Sequence, residues 1–338
     1  MAPFEPEGIK PNGPIRYKYN SGNKEEAHPL KNTFYDENGS ALDIVDQIYD
    51  EETGEWVVLL SGTLKTIGGN SFNEPGEDIE YIKVDNDDES VIISDFAFYN
   101  CTADNLIIQN NIDEVGKSAF AGSTITDLNI YGDATTIKSS AGIGSNIENI
   151  NITGRVKLID GQAFSGCADL KTVNIGNVET VGFQAFYNCG GLTDASIPGA
   201  KYIGMDAFRN CSSLKTINLE SVVTIEDAAF FDCSSLSEVI ISENCTLIGE
   251  GAFCNDVSLQ TVYCYAAEPP FIKTDNGDKS YVFDKTHPNL VIYIPKGARS
   301  KYSNRRYFAN HTYDDPNIKA TVNWWQQEYI SKLTEMTN

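Results

Sequence analysis

Eight cysteines and three histidines are the residues of this 338-residue chain that could most readily hold a metal, form disulfides or act as nucleophiles and bases. Cys167, Cys189, Cys211 and Cys233 follow one another at steps of 22, and Cys101 falls in the same phase. A constant step marks a repeat rather than a ligand set, and no Cys-x-x-Cys pair or Cys/His spacing suits zinc. Small buried thiols stacked in a ladder are expected, because Cys packs as a small hydrophobe. Cys245, Cys254 and Cys264 are less regular and leave one disulfide open. His28, His287 and His311 lie outside the repeated part, and two of them precede proline. None is placed beside a nucleophile and an orienting acid, so a hydrolytic triad has no support, and no catalytic residue, metal or cofactor is assigned. The run from Asp85 to Glu89 offers oxygen ligands to calcium. It lacks the turn Gly and distal Glu of an EF-hand and reads as a solvated loop.

The remaining chemistry is that of a surface. Short alternating segments recur along the chain, and in each the two residues flanking the central apolar one face away from the core. In order these are Asp127 and Asn129, Asn149 and Asn151, Thr172 and Asn174, Asp194 and Ser196, Thr216 and Asn218, then Glu238 and Ile240, Thr261 and Tyr263. The row is small and polar before it turns larger and more apolar. Amides and carboxylates suit sugar hydroxyls or the polar surface of a protein, and Tyr263 and Tyr265 add stacking faces. The candidate ligand-binding residues are therefore Asp127, Asn129, Asn149, Asn151, Thr172, Asn174, Asp194, Thr216, Asn218, Glu238 and Tyr263. A hydrated sheet face with no ligand is the plainer alternative.

What positions these residues is a repeat. VGKSAFAGS from Val115, IDGQAFSGC from Ile159, VGFQAFYNC from Val181, IGMDAFRNC from Ile203, IEDAAFFDC from Ile225 and IGEGAFCND from Ile248 share one phase. Their starts step by 22 or 23 once the degenerate copy at Ile137, with Gly142-Ile143 at the Phe position, is included. IGGNSF from Ile67 and the copy around Ile93 extend the series with a longer step of 26, giving about nine copies. Each is followed by a segment such as ITDLNI or LKTINL, whose alternation and β-branched residues predict a half-buried strand. The Ala-Phe stretch is too brief for a full helix and predicts a single helical or 3₁₀ turn. A unit of this length cannot bury its own apolar residues, so copies must stack into ladders. Phe98, Phe120, Phe164, Phe186, Phe208, Phe230 and Phe253 form one such ladder, each contributing about 1.5–3 kcal/mol by burial.

The combined unit resembles the BspA-like leucine-rich repeat: Ile-Gly, two residues, Ala-Phe, two residues, Cys, two residues, Leu, two residues, Ile-x-Ile-Pro. The stretch from Val181 to Pro198 follows it most closely, with Val181 for the first Ile and Ala195 at the first Ile of the strand. The likeness covers residues 67–264. It implies an α/β repeat solenoid: a right-handed leucine-rich-repeat superhelix with one strand and a short helical or 3₁₀ turn per repeat, closed by caps. It also implies a non-catalytic bacterial adhesin, exported to the cell surface, that attaches to a host or microbial surface protein. Glycan capture on the same polar strip is the alternative, and an enzyme would have to carry its active residues in the caps.

Outside the repeats, residues 1–13 read as a flexible lead and 14–66 as a β-rich N-terminal cap. Residues 265–338 read as a C-terminal cap with a last strand at Leu290–Ile294. Val322, Trp325, Tyr329 and Leu333 have the spacing of one apolar face of a terminal helix. The net charge of −23, from 48 acids against 25 bases, repels nucleic acid and anionic lipid. Residues 74–114 hold twelve acids and one base, Lys83, while the stretch from Lys296 to Arg306 holds five bases and no acid. No apolar run reaches the ~18 residues needed to span a membrane. The Pro/Gly-rich start lacks signal-peptide regions and has the composition of a tether left after a targeting sequence is removed, as in an outer-membrane lipoprotein. A monomer is expected.

Overall fold

The computed structural model describes residues 13–21, 27, 30–31, 33–72, 79–85, 90–273, 281–302 and 332–336. Its repeats coil into a right-handed β-solenoid of about nine turns. Each coil stacks on the last in parallel register: Asp127 lies beside Asn149, Asn149 beside Thr172, Thr172 beside Asp194, Asp194 beside Thr216, Thr216 beside Glu238, and Glu238 beside Thr261. These strands make a long parallel sheet.

Two features of the repeat unit itself differ from the sequence-based expectation. First, a second parallel run forms just ahead of the Ala-Phe turn, so most coils carry two strands rather than one. In that run Thr180 lies beside Tyr202, Tyr202 beside Thr224 and Thr224 beside Leu247. The two runs merge where Asn149–Ile159 and Thr172–Val181 pass through both. A pair such as Thr224–Ile225 is too short to show alternation, and only pairing with the coils on both sides makes it a strand.

Second, the Ala-Phe stretch is neither helical nor 3₁₀ but a chain of β-turns. Ala185, Tyr187 and Cys189 donate their N–H groups three residues back, to Gly182, Gln184 and Phe186. The residues between them, Gln184, Phe186 and Asn188, donate instead to Met205, Ala207 and Arg209 of the next coil. The alternation requires left-handed backbone at Gln184 (φ 52°) and Asn188 (φ 59°), which a right-handed helix excludes. Every second amide thereby fastens one coil to the next.

The interior is a set of apolar ladders. Phe164, Phe186, Phe208, Phe230 and Phe253 stack at centroid separations of 5.2–5.7 Å, and Phe283 continues the stack at 5.5 Å. The single ladder expected from Phe98 to Phe253 is therefore broken in two: Phe72, Phe98 and Phe120 form a second, shorter stack. Between the two lies the degenerate coil, where a side-chain carbon on Gly142 would come 2.7 Å from the Phe164 ring.

The exposed ends of the sheets are covered. Ile15–Tyr19 runs antiparallel to the first strand of the long sheet, Ile79–Val84, and on its other side to Glu55–Leu60, which in turn pairs with Ile44–Asp50. Phe34–Tyr35 covers Thr66–Ile67 in the same antiparallel sense. At the far end, Val291–Ile294 follows Thr261–Cys264, and a short helix at Arg299–Tyr302 places Tyr302 inside, donating to the Ala266 carbonyl. Leu333 is not helical: it opens the strand Leu333–Glu335, which pairs in parallel with Val291–Ile294 and satisfies that edge. Val322, Trp325 and Tyr329 lie outside the described residues. No helix among the described residues is long and apolar enough to cross a membrane.

Candidate functional site

The cysteines are part of the core. All eight are buried free thiols, Cys245, Cys254 and Cys264 included. Cys167, Cys189, Cys211 and Cys233 each donate to a carbonyl of the preceding coil, at Gly142, Phe164, Phe186 and Phe208, over 3.0–3.2 Å. Burial pushes the Cys101 thiol up to about 12, and burial likewise raises Cys211. These thiols stay protonated and unreactive. His287 Nδ1 accepts the Asn289 N–H, while His28 and His311 lie outside the described residues. So does the acidic run apart from Asp85, which pairs with Lys83. Among the described residues, no group of three or more His, Cys, Asp or Glu side chains has the arrangement to hold a metal.

The long sheet's outer face gathers the candidate ligand-binding residues into two adjacent columns. One runs Asp127, Asn149, Thr172, Asp194, Thr216, Glu238, Thr261; the other runs Asn129, Asn151, Asn174, Ser196, Asn218, Ile240, Tyr263. The early part is a polar zipper. Asn149 donates to Asp127 at 2.8 Å and Thr172 to Asn149 at 2.7 Å; alongside, Asn151 donates to Asn129 at 3.1 Å and Asn174 to Asn151 at 3.2 Å. The amides of Asn129, Asn149 and Asn151 are each engaged by the next coil. Between Asp194 and Asn218 the side chains stand exposed, and Asn218 turns its oxygen to the Glu220 N–H.

Beyond Glu238 the face changes character. Ile240, Tyr263 and Tyr293 continue one column, which runs on to the exposed Thr334, and Val291 extends the other; Ile240, Tyr263, Tyr293 and Val291 are half-buried. The Tyr263 and Tyr293 rings stack 5.0 Å apart at an interplanar angle of 16°. Tyr293 belongs to the same strip but was missed in the sequence, although TVYC and VIYI place Tyr at the same third position. Tyr265, counted with Tyr263 as a stacking face, lies just past that strand and is exposed. At the opposite end the face is ionic. Arg16 pairs with Glu55 at 2.8 Å, the Tyr81 hydroxyl donates to Glu55 at 2.5 Å, and Lys18 pairs with Glu80 at 3.2 Å. Burial pushes the Glu55 carboxyl up, but the bonds from Tyr81 and Arg16 outweigh it and hold it below the ordinary range.

The model of the BspA type leucine rich repeat region matches this chain in six copies, over residues 65–193 and 162–268. The chain belongs to the BspA-type leucine-rich-repeat family. No curated protein matches it. Solved structures that this chain matches include the leucine-rich-repeat protein TpLRR of T. pallidum, at 23% identity and a TM-score of 0.33, covering 47% of this chain and 68% of that one. A Bacteroides ovatus leucine-rich-repeat protein has 20% identity and a TM-score of 0.44, covering 68% of this chain and 57% of its own length. A leucine-rich cell surface protein of Faecalibacterium prausnitzii has 18% identity and a TM-score of 0.27, covering 74% and 86% respectively.

Proposed function

We propose that this BspA-type protein is a non-catalytic, cell-surface binding protein, and that it engages a protein ligand on the C-terminal end of the long sheet's outer face. The observation that carries this reading is the contrast along the two columns. Asn149, Asn151 and Thr172 spend their hydrogen bonds on neighbouring coils, so a ligand would have to break those bonds before making its own. Ile240, Tyr263, Tyr293 and Val291 instead offer apolar and aromatic area beside the carboxylate of Glu238, the composition of an interface core. Stacked coils fix these side chains, so little conformational freedom is lost on binding. The acidic net charge favours a basic partner and disfavours nucleic acid.

The test is surface plasmon resonance against purified matrix and microbial surface proteins. A ligand bound by the unmodified chain should lose at least tenfold in affinity on Tyr263→Ala with Tyr293→Ala. Retained affinity would move the site elsewhere, with the basic stretch around Lys296, Arg299 and Lys301 the next candidate.

Glycan capture is the second reading, favoured by one observation: from Asp194 to Asn218 the polar side chains are exposed, and no side-chain bond links Asp194 to Thr172 or Thr216. It requires carbohydrate-array signals that vanish when Asn174 and Asn218 are replaced together.

A further inference from the structure

Asp256 occupies the phase of the cysteine ladder in the coil that begins at Ile248, and from Ser123 to Thr286 the other side chains of that column are hydroxyls and thiols, each with a proton to donate. Ser123 donates to Phe120 O, Ser145 shares a hydrogen bond with Cys167, four cysteines donate to the coil before them, and Thr286 donates to Phe283 O. An ionised carboxylate has no proton to give and needs several donors of its own. Asp256 is fully buried, and its Oδ1 accepts a single bond, from the Cys233 N–H at 2.8 Å. Its Oδ2 is buried with no partner at all. One donor is far too little to hold a buried anion, whereas a neutral acid fits the column's polarity.

We propose that Asp256 is held as a neutral acid and makes the anchoring of its coil pH-dependent. The surrounding charges agree. Burial is the main cause that raises its carboxyl well above the ordinary range; the bond from Cys233 opposes the shift, and Asp232 on the preceding coil adds to it. Cys254 of the same coil stays a neutral thiol. Asp284 and Lys285 of the following coil, opposite in sign, act on Cys254.

The linkage has a definite sign. In the unfolded chain Asp256 ionises near pH 4. When folded it keeps its proton to a higher pH, so the contribution of Asp256 to stability is full below about pH 4 and falls as pH rises across that window. The coil affected hooks to its neighbours through Asp232 N–H to Cys254 O, Phe253 N–H to Val282 O and Asn255 N–H to Asp284 O. It leads directly into Thr261–Cys264, the strand that carries Tyr263. Opening of this joint loosens the aromatic end of the outer face.

The experiment is amide exchange over residues 253–264 in the full chain, comparing the unmodified protein with Asp256→Asn and Asp256→Cys at matched pH from 4 to 9. Asparagine keeps the acceptor for Cys233 and carries no charge; cysteine restores the column. The opening constant of the unmodified protein should rise relative to both variants by up to about tenfold per pH unit above pH 4, and the three should converge at the acid end. A ratio that stays constant with pH would overturn the proposal. So would faster exchange in both variants at every pH.

Discussion

The inside and the outside of the same coils obey different rules. Inside, one residue type recurs over runs of consecutive coils: Phe on Phe at 5.2–5.3 Å from Phe186 to Phe253, Cys on Cys from Cys167 to Cys233. Outside, the same register carries an ionic cluster at Arg16, Glu55 and Tyr81, then an Asn/Asp/Thr zipper, then an aliphatic and aromatic end at Ile240, Tyr263 and Tyr293. Close packing leaves each interior site one solution per coil, since a neighbour's size is fixed by the coil above and below. The outer face carries no such constraint, and variation there is where recognition can be built.

The largest break in this comparison comes from the inside. Phe186→Ala removes a fully buried ring from between Phe164 and Phe208 and should cost about 3–5 kcal/mol, with exchange protection lost in the coils on both sides. Chemical denaturation with exchange mapping measures it, and the cost should be several times that of Phe72→Ala at the end of its stack. Filling the interior gap is next in size. Gly142→Ala places a carbon 2.7 Å from Cδ1 and 2.9 Å from Cε1 of Phe164, so the ring must shift, costing about 1–3 kcal/mol in a thermal melt. A neutral or stabilising result would show that this coil can adjust where its neighbours cannot. On the outside, Asn151→Ala strips Asn129 of its donor and Asn174 of its acceptor. Because both neighbours can turn to water, the cost should be only about 0.5–1.5 kcal/mol.

The interior was largely legible in the sequence, because stacking writes the same letter every 22 residues: the Phe and Cys phases and the alternating strand follow from that period alone. The Ala-Phe turn was not. Its left-handed residues include Gln184, Asp206 and Ala228, types that carry no common signal, and its hydrogen bonds reach into the next coil. The second strand run escaped for the same reason, being only two to four residues long in most coils and held by neighbours. On the outer face, the columns could be read from Asp127 to Tyr263, but their internal bonding could not. Whether Asn151 faces water or Asn129 depends on rotamers rather than on period.

The most direct measurement is a side-by-side binding titration of two variants against one protein ligand of the unmodified chain: Tyr263→Ala with Tyr293→Ala, and Asn151→Ala with Asn174→Ala. Loss of at least tenfold in affinity for the tyrosine pair, with the asparagine pair within about twofold of the unmodified protein, is the result this account predicts, since 1.4 kcal/mol of lost contact is a factor of about ten. Undiminished binding by the tyrosine pair together with lost binding by the asparagine pair would contradict it and place recognition on the zipper.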